Sequence, residues 1–184
     1  MDHHDYVNLL KPAAIRPGAA WADLGAGSGA FTLALRELAG PNAEIFAVDT
    51  DRSRLADLER SFEARFREGK GQDGRLHIVH ADFTRSLDLP TLDGVLMANA
   101  LHFFKDKVRV LRQIHSLLQP GGALLLVEYD AEAGNLWVPY PLSFETMQPL
   151  LLRCGFVRPR WLHAVPSHFL NAIYSAIAYR PEKD

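Results

Sequence analysis

The sequence of 184 residues predicts an α/β fold, a doubly wound and mostly parallel sheet of seven strands that ends in an antiparallel hairpin. Two observations support this prediction. Over most of the chain, short apolar segments alternate with segments of helical periodicity, which is typical of parallel strands joined by helices. Near the C-terminus, two apolar-rich runs at 156–162 and 169–179 are separated by only a few polar residues, and this spacing predicts a hairpin.

The individual elements follow from the same patterns in chain order. Helices are predicted where apolar residues recur every three or four positions, and strands where short apolar runs end at polar residues. The predicted helices are the segment up to Leu10, Ala30–Ala39, Arg54–Arg67, Lys107–Leu118 and Ser143–Leu152. Besides the hairpin, the predicted strands are Ala19–Leu24, Glu44–Val48, Leu76–Val79, Asp93–Ala98 and Ala123–Tyr129. Pro149 is expected to bend the last helix or to belong to its first turn.

Composition limits the classes of partner. A net charge of −2 gives no indication of a positively charged surface that would bind a polyanion. Basic residues do cluster between positions 52 and 75, but acidic residues alternate with them, so this segment is predicted to be an ion-paired helix face and nucleic-acid binding is not expected. No apolar run is long enough for a membrane span. Residues 1–184 are therefore expected to form a single domain.

Cysteine and histidine usage points to a reducing compartment and away from a metal site. Cys154 is the only cysteine, so no disulfide forms within the chain and there is no thiolate cluster. We therefore predict a cytoplasmic protein. His3 and His4 are adjacent, but without a further spaced partner they are interpreted as part of a solvated arm, and no metal is expected.

The most informative stretch runs from Trp21 to Phe31, where an apolar strand passes through three alternating glycines and opens into a helix. Glycine tolerates positive φ angles and lets a ligand lie against the backbone, and the helix N-terminus favours an anionic group. The glycines alone do not identify the ligand. Gly25 and Gly27 with Ala30 also fit the dinucleotide-binding fingerprint, and a tight turn that binds no ligand is compatible with the same residues. A carboxylate at Asp23 would repel a pyrophosphate and suit an ammonium group.

The segment Asp23-Leu24-Gly25-Ala26-Gly27-Ser28-Gly29 resembles motif I of the class I S-adenosylmethionine-dependent methyltransferases. The Leu118-x-Pro-Gly-Gly turn before a strand is similar to a further signature of that family, and residues 5–10 resemble the N-terminal arm of the small quinone-biosynthesis C-methyltransferases. The resemblance implies a Rossmann-like sheet of order 3-2-1-4-5-7-6. It also implies that residues 1–18 form an arm over the cofactor and acceptor sites, and that S-adenosylmethionine is converted to S-adenosylhomocysteine.

Candidate cofactor residues lie at the ends of successive predicted strands, which converge on one crevice in an open α/β sheet. Asp49 follows Gly25 by 24 residues, the separation expected of an acidic side chain that binds a ribose diol. The resemblance implies that Asp82 and Phe83 bind the adenine. It also implies that the glycine loop, with Asp23 or the backbone near Asn99, binds the methionine moiety. The full predicted set is Asp23, Gly25, Ala26, Gly27, Gly29, Asp49, Thr50, Asp82, Phe83 and Asn99.

Fewer residues are candidates for catalysis and for binding of the methyl acceptor than for binding of the cofactor. His102, just past the fourth predicted strand, is the best-placed general base, and its alternative role is packing beside the two phenylalanines that follow. Tyr6, Tyr129 and Tyr140 are the candidate acceptor-binding residues. The sequence from Asn99 to His102 departs from the pattern of the base-amine methyltransferases, which disfavours nucleobase acceptors.

Three functions remain open from the sequence. The first is methyl transfer to an unidentified small-molecule acceptor by in-line displacement, performed by a monomer or a homodimer. The second is a nicotinamide-dependent Rossmann reductase, against which Asp23 and the terminal hairpin argue. The third is a non-catalytic cofactor-binding protein of the same fold.

Overall fold

The computed structural model describes residues 1–66, 75–167 and 169–183. Five α-helices and seven strands are described in these ranges. The helices are α1 (His3–Leu10), α2 (Ala30–Ala39), α3 (Arg52–Phe66), α4 (Lys107–Leu117) and α5 (Phe144–Arg153). The strands are β1 (Ala20–Leu24), β2 (Glu44–Asp49), β3 (Arg75–His80), β4 (Leu92–Ala98), β5 (Leu118–Tyr129), β6 (Val157–Pro166) and β7 (Ala172–Tyr179). Short 3₁₀ turns follow α1 and β4, at Lys11–Ala13 and Leu101–Phe103.

The strands form one sheet in the order β3-β2-β1-β4-β5-β7-β6. The five strands β1 to β5 pair in parallel, whereas β7 pairs antiparallel with both β5 and β6. The chain order reverses between β1 and β4, because β1 has β2 on one side and β4 on the other. The predicted fold class and strand order are therefore confirmed, and the carboxyl ends of β1 and β4 lie at the point where ligands bind in open α/β sheets.

Helices cover both faces of the sheet. On one face, α4 and α5 pack on strand residues that include Leu24 and Met97. On the other face, α1 and α2 pack on residues that include Trp21 and Leu125, while α3 packs on Ala47. Central strands that are covered on both faces bury the side chains of each face, which explains their nearly continuous apolar sequences.

Side-chain caps define several helix starts. Asp2 and Asp5 form a reciprocal capping box at α1, each side chain accepting the backbone N–H of the other residue. Asp106 caps α4 and Ser143 caps α5. Because α5 begins at Phe144, Pro149 lies inside the helix and not in its first turn.

The observed strand bounds differ from the predicted ones by more than one residue at two places, in β5 and in the hairpin. β5 begins at Leu118 because that residue pairs with Leu92 before a register irregularity, and the following Pro-Gly-Gly segment continues the sheet. Gly121 and Gly122 exchange backbone hydrogen bonds with Arg180, which extends the pairing beyond β7. In the hairpin, β6 is longer than predicted and β7 starts later, at Ala172.

Four of the described arginines in the basic segment form ion pairs. Arg54 pairs with Asp51, which precedes α3, and Arg60 pairs with Asp57 within α3, each over three residues. Arg65 and Arg75 reach Glu37 and Glu44 on neighbouring elements. Arg67, Lys70 and the loop predicted at 68–74 lie outside the described residues. None of the helices described here has the length and apolar character needed to cross a bilayer.

Candidate functional site

The loop between β1 and α2 is built on three glycines with positive φ angles, +82° at Gly25, +53° at Gly27 and +90° at Gly29. Two of them touch protein: a Cβ on Gly25 would lie 2.8 Å from the Cβ of Ala100, and one on Gly29 would lie 2.5 Å from the Cγ of Leu58. A Cβ on Gly27 would meet nothing within 4 Å. The loop therefore presents bare backbone to open space at Gly27, where a ligand can lie against it.

Asp49 ends β2 directly beside this loop. One carboxylate oxygen accepts the N–H of Gly27 at 2.8 Å, and the other accepts the N–H of Asp51 at 2.9 Å. Asp51 itself caps α3 by accepting the N–H groups of Ser53 and Arg54, so Asp49 is not needed as the cap. Each oxygen of Asp49 keeps a further lone pair, which allows this partly buried carboxylate to accept hydrogen bonds from hydroxyl groups.

Asp23 lies beneath the first turn of α2 and is 1% exposed. Its carboxylate accepts the hydroxyl of Thr32 at 2.6 Å. Burial raises the pKa of Asp23 to about 7, a change that the Thr32 hydrogen bond opposes and the charge of Asp49 reinforces. The negative form of Asp23 is therefore poorly compensated, and a cation nearby would stabilise it.

Asp82 and Phe83 follow β3, and the ring of Phe83 reaches the glycine loop. The Asp82 carboxylate accepts both the hydroxyl and the backbone N–H of Thr84, at 2.6 and 2.9 Å, and these two bonds are the main reason that its pKa is lowered. Phe83 lies 3.6 Å from the position of a Cβ on Gly25 and packs edge-on against Phe104. Asp82 is therefore an ionised acceptor beside an aromatic wall of the glycine loop.

Thr50, one of the predicted cofactor residues, is exposed. Its carbonyl oxygen lies 2.9 Å from Nε2 of His80, and Nδ1 of the same ring accepts from Arg52 at 3.3 Å. His80 therefore connects the end of β3 to the loop after β2.

Asn99, directly after β4, combines two unusual features. Its φ is +51°, and its side-chain Oδ1 is buried without a hydrogen-bond partner in the protein. The backbone N–H donates to the carbonyl of Val127 at 2.8 Å, which fixes the residue beside β5. An unpaired buried acceptor is costly and rare, so a donor supplied by a ligand is the natural partner of this oxygen.

Asn99 lines a cavity of ≈ 320 Å³ between α1 and the terminal hairpin. Tyr6 and Asp5 contribute from α1, Tyr129 from the end of β5, and Phe169 and Ile173 from the hairpin. Two of the three predicted acceptor-binding tyrosines, Tyr6 and Tyr129, are thus brought together. Tyr140 is 44% exposed and does not line this cavity; its backbone N–H donates to the carbonyl of His102 at 3.0 Å.

His102 and Glu128 form a buried pair, 3% and 1% exposed. Nδ1 of His102 lies 2.8 Å from one carboxylate oxygen of Glu128, and the other oxygen accepts the backbone N–H groups of Leu101 and His102 at 2.8 and 3.2 Å. The imidazole also packs edge-on against Tyr129, which lines the cavity. A carboxylate on Nδ1 orients the ring and leaves Nε2 as the proton acceptor.

Three functional neighbours were not predicted in these roles. Thr32, which bonds Asp23, carries no sequence signal beyond its place in a helix start. Glu128 lies near the end of a predicted strand, and a carboxylate in a strand buried on both faces is itself a signal, because buried charges require partners. Lys107 was assigned only to a helix, yet it is 8% exposed.

Comparison with known proteins points to one family. A family model described as a methyltransferase domain matches residues 22–124, more than half of the chain. Acetylserotonin O-methyltransferase from Mus musculus is 35% identical over 118 residues, which is 61% of this chain and 29% of that protein. Demethylmenaquinone methyltransferase from Thermus thermophilus is 31% identical over 134 residues, 70% of this chain and 56% of that protein. The chain thus spans less than two thirds of these relatives.

Solved structures share the fold at low sequence identity. A SAM-dependent methyltransferase from Aquifex aeolicus has a TM-score of 0.71 at 18% identity, covering 95% of this chain and 89% of that one. The cyclase SpnF has a TM-score of 0.74 at 17% identity, covering 98% and 81%. The fold therefore carries more than one chemistry.

We predict that Asp23→Asn removes a pH-dependent loss of stability. The carboxyl titrates near 3.8 when unperturbed and near 7 in the folded protein, so the folded state binds more protons between these values. The free energy of unfolding of the wild type should therefore fall as the pH rises through this interval, by up to roughly 4 kcal/mol. The amide keeps an acceptor for Thr32 but does not titrate.

Urea unfolding of both proteins between about pH 4.5 and 7.5 measures this difference. The variant should gain stability relative to the wild type as the pH rises. Parallel pH profiles would contradict the buried, uncompensated carboxylate.

Proposed function

The chain belongs to the family of methyltransferase domains, and we propose that it transfers a methyl group from S-adenosylmethionine to a small-molecule acceptor by in-line displacement. The observation that carries the proposal is the gathering of hydrogen-bond acceptors and bare backbone at the carboxyl ends of β1, β2, β3 and β4. Asp49 and Gly27 are joined by a hydrogen bond of 2.8 Å. Asp23, Asp82 and Asn99 lie at the ends of the neighbouring strands.

The unsatisfied groups of this crevice match the donors of the proposed cofactor. Asp23 and the unpaired Oδ1 of Asn99 would accept from its ammonium group, beside the backbone from Gly25 to Gly29. Asp49, with Thr50, would accept from the ribose hydroxyls. Asp82 and Phe83 would hold the adenine by its amino group and its edge. When bound, this cofactor supplies an activated electrophilic methyl group on a sulfonium.

Because the donor is activated, the task of the protein is to align the acceptor and exclude water. Orientation of this kind contributes roughly 7–11 kcal/mol to catalysis. We assign the cavity of ≈ 320 Å³ to the acceptor, since it adjoins Asn99 and is bounded by Tyr6 and Tyr129. Three aromatic side chains, Tyr6, Tyr129 and Phe169, belong to its walls, and no Lys or Arg occurs among the described residues that line it. The acceptor is thus proposed to be a molecule without a negative charge that carries a ring.

His102 is proposed as the general base for an acceptor whose nucleophile carries a proton. Glu128 holds the Nδ1 side of the ring at 2.8 Å, so Nε2 is the atom that takes the proton. The contact with Tyr129 brings the imidazole next to the acceptor cavity. A histidine whose Nδ1 is held by a carboxylate has the arrangement of an oriented general base. A histidine that only fills space in the core would not need a buried carboxylate beside it.

We extend the proposal to the organisation and location of the chain. Residues 1–184 would act as one domain, with residues 1–18 as an arm over the site, in keeping with the place of Tyr6 in the cavity wall. The cytoplasm is the proposed location, in keeping with the lone buried Cys154. The acceptor would be bound by a monomer or a homodimer without nucleic acid.

A cyclase has the same fold, so the fold alone does not determine the reaction, and two other functions are compatible with it. A nicotinamide-dependent reductase would bind NADH, and a non-catalytic protein would bind the cofactor without transferring its methyl group. A measurement of which cofactor binds distinguishes the reductase from our proposal. A measurement of methyl transfer distinguishes the non-catalytic protein from it.

Calorimetric titration with S-adenosylmethionine, S-adenosylhomocysteine and NADH tests the cofactor. The wild type should bind the first two and not NADH. Asp49→Ala should weaken their binding by about 10- to 100-fold, because it removes hydrogen bonds to a charged acceptor. Asp57→Ala, which removes an exposed carboxylate of α3, is the matched control and should leave affinity unchanged. Binding of NADH alone, or equal affinity for Asp49→Ala and wild type, would refute the assignment.

Methyl incorporation from labelled S-adenosylmethionine into the small molecules of a cell extract tests His102. We expect His102→Gln to lower incorporation by at least about 100-fold, since general-base catalysis is lost. Its affinity for S-adenosylhomocysteine should not change. The control is His77→Gln, a histidine stacked on Phe46 away from the site. Undiminished incorporation by the His102 variant would exclude this residue as the base.

A further inference from the structure

The acceptor cavity has a polarity that methyl transfer alone does not explain. Among the described residues that line it, Asp5 is the one with a carboxylate, and a lysine or arginine that would neutralise this group is absent from them. Asn99, at the end of β4, adds the unpaired oxygen Oδ1. The described walls therefore offer hydrogen-bond acceptors, and they favour a ligand that donates.

Helix capping uses only part of the Asp5 carboxylate. Its Oδ2 accepts the backbone N–H of Asp2 at 3.0 Å, at the start of α1. Among the described residues, no hydrogen bond reaches Oδ1 and no ion pair is formed by this carboxylate. Each carboxylate oxygen has two lone pairs, so most of the acceptor capacity of Asp5 is left for a ligand. The pKa of the neighbouring Tyr6 is raised first by burial and then by the charge of Asp5.

Three aromatic rings line the same space, and we call Tyr6, Tyr129 and Phe169 the ring cluster. Tyr129 is 8% exposed and Phe169 is 60% exposed, so the cluster extends from the buried part of the cavity toward solvent. Tyr6 is positioned from α1 by an edge-on contact with Phe31, with ring centres 4.8 Å apart. The faces of aromatic rings attract cations, most strongly where water is excluded. A carboxylate without a cationic partner, set among such rings, is suited to bind an ammonium group.

A phenol would fit these walls less well than an amine. The oxygen of a phenol gains negative charge as it loses its proton, and Asp5 would repel that charge. An alkyl amine is positively charged before it loses its proton and again after it has gained the methyl group. The same carboxylate therefore attracts both the substrate and the product.

We propose that the methyl acceptor is a primary or secondary alkyl amine with an apolar or aromatic substituent, bound in its ammonium form by Asp5 and the ring cluster. This inference deepens the proposed function and rests on it. Nε2 of His102 takes one proton from the ammonium group. The nitrogen then forms a bond to the methyl carbon with its free electron pair. The methyl–sulfur bond breaks with both electrons left on sulfur, so the positive charge passes to the amine.

Calorimetric titration with three small probes measures this preference without any reaction. Benzyltrimethylammonium carries a ring and a permanent positive charge and cannot accept a methyl group. Benzyl alcohol is a neutral counterpart, and phenylacetate is an anionic one. Each probe is titrated into the whole protein with and without saturating S-adenosylhomocysteine. The cation should bind at least about 10-fold more tightly than the alcohol, and the anion should not bind.

Three variants assign the preference to the cavity wall. Asp5→Asn keeps an acceptor for the N–H of Asp2 but removes the charge, so it should weaken binding of the cation about 5-fold and leave that of the alcohol unchanged. Phe169→Leu, at an exposed position, should weaken binding of the cation about 3-fold. Asp2→Asn is the matched control. It removes the other carboxylate of the capping box, which does not line the cavity, and should leave the affinity close to that of the wild type.

The labelled product of the cell-extract experiment gives a second readout. A methylated alkyl amine is positively charged at neutral pH, so the labelled product should be retained by a cation-exchange resin. A labelled product that passes through the resin overturns the proposal.

The titrations separate the possible outcomes. Equal affinity for benzyltrimethylammonium and benzyl alcohol overturns the proposal, and so does absent binding of the cation or binding of phenylacetate in its place. An equal loss in Asp5→Asn and Asp2→Asn also overturns it. If Asp5→Asn does not fold, an unchanged affinity in Phe169→Leu has the same meaning. Failure of the proposed function would appear instead as absent binding of S-adenosylhomocysteine or absent labelled product, whereas the probes still report on the cavity.

Discussion

The hydrogen bonds that join the β1–α2 loop to the end of β2 are the constraint on which the site depends. The N–H groups of Gly25 and Ala26 both donate to the carbonyl of Val48, at 2.8 and 3.1 Å, and the N–H of Gly27 donates to Asp49. These bonds require the positive φ angles that glycine supplies. They also hold the Asp49 carboxylate and the bare loop backbone at Gly27 in fixed positions relative to each other.

Buried carboxylates give the two halves of the site different characters. Asp23 accepts a hydrogen bond from a hydroxyl group, and no ion pair to it occurs among the described residues. Glu128 accepts hydrogen bonds from two backbone N–H groups and lies within hydrogen-bond distance of an imidazole, so its partners all belong to the protein. The two buried carboxylates, at the ends of β1 and β5, thus differ in their surroundings because the neighbouring elements supply them with different partners.

Sequence patterns predicted the fold well, because parallel strands buried on both faces and a terminal hairpin leave direct periodic signals. Asp49 was singled out by its separation from Gly25 along the chain, and the structure places its carboxylate beside the glycine loop. The roles of Thr32, Glu128 and Lys107 were not, since each depends on a contact between elements distant in sequence, such as the bond from Lys107 to Tyr140 across 33 residues. Helix periodicity likewise could not tell that a lysine at the start of α4 points inward.

The structure of a complex with S-adenosylhomocysteine tests the central claim most directly. The account predicts the homocysteine moiety over Gly27, its ammonium group at Asn99 and Asp23, and the ribose hydroxyls on Asp49, with the acceptor cavity beside Tyr129 left open. A nucleoside bound elsewhere on the chain, with Asp49 and Asp82 free of contact, would contradict it.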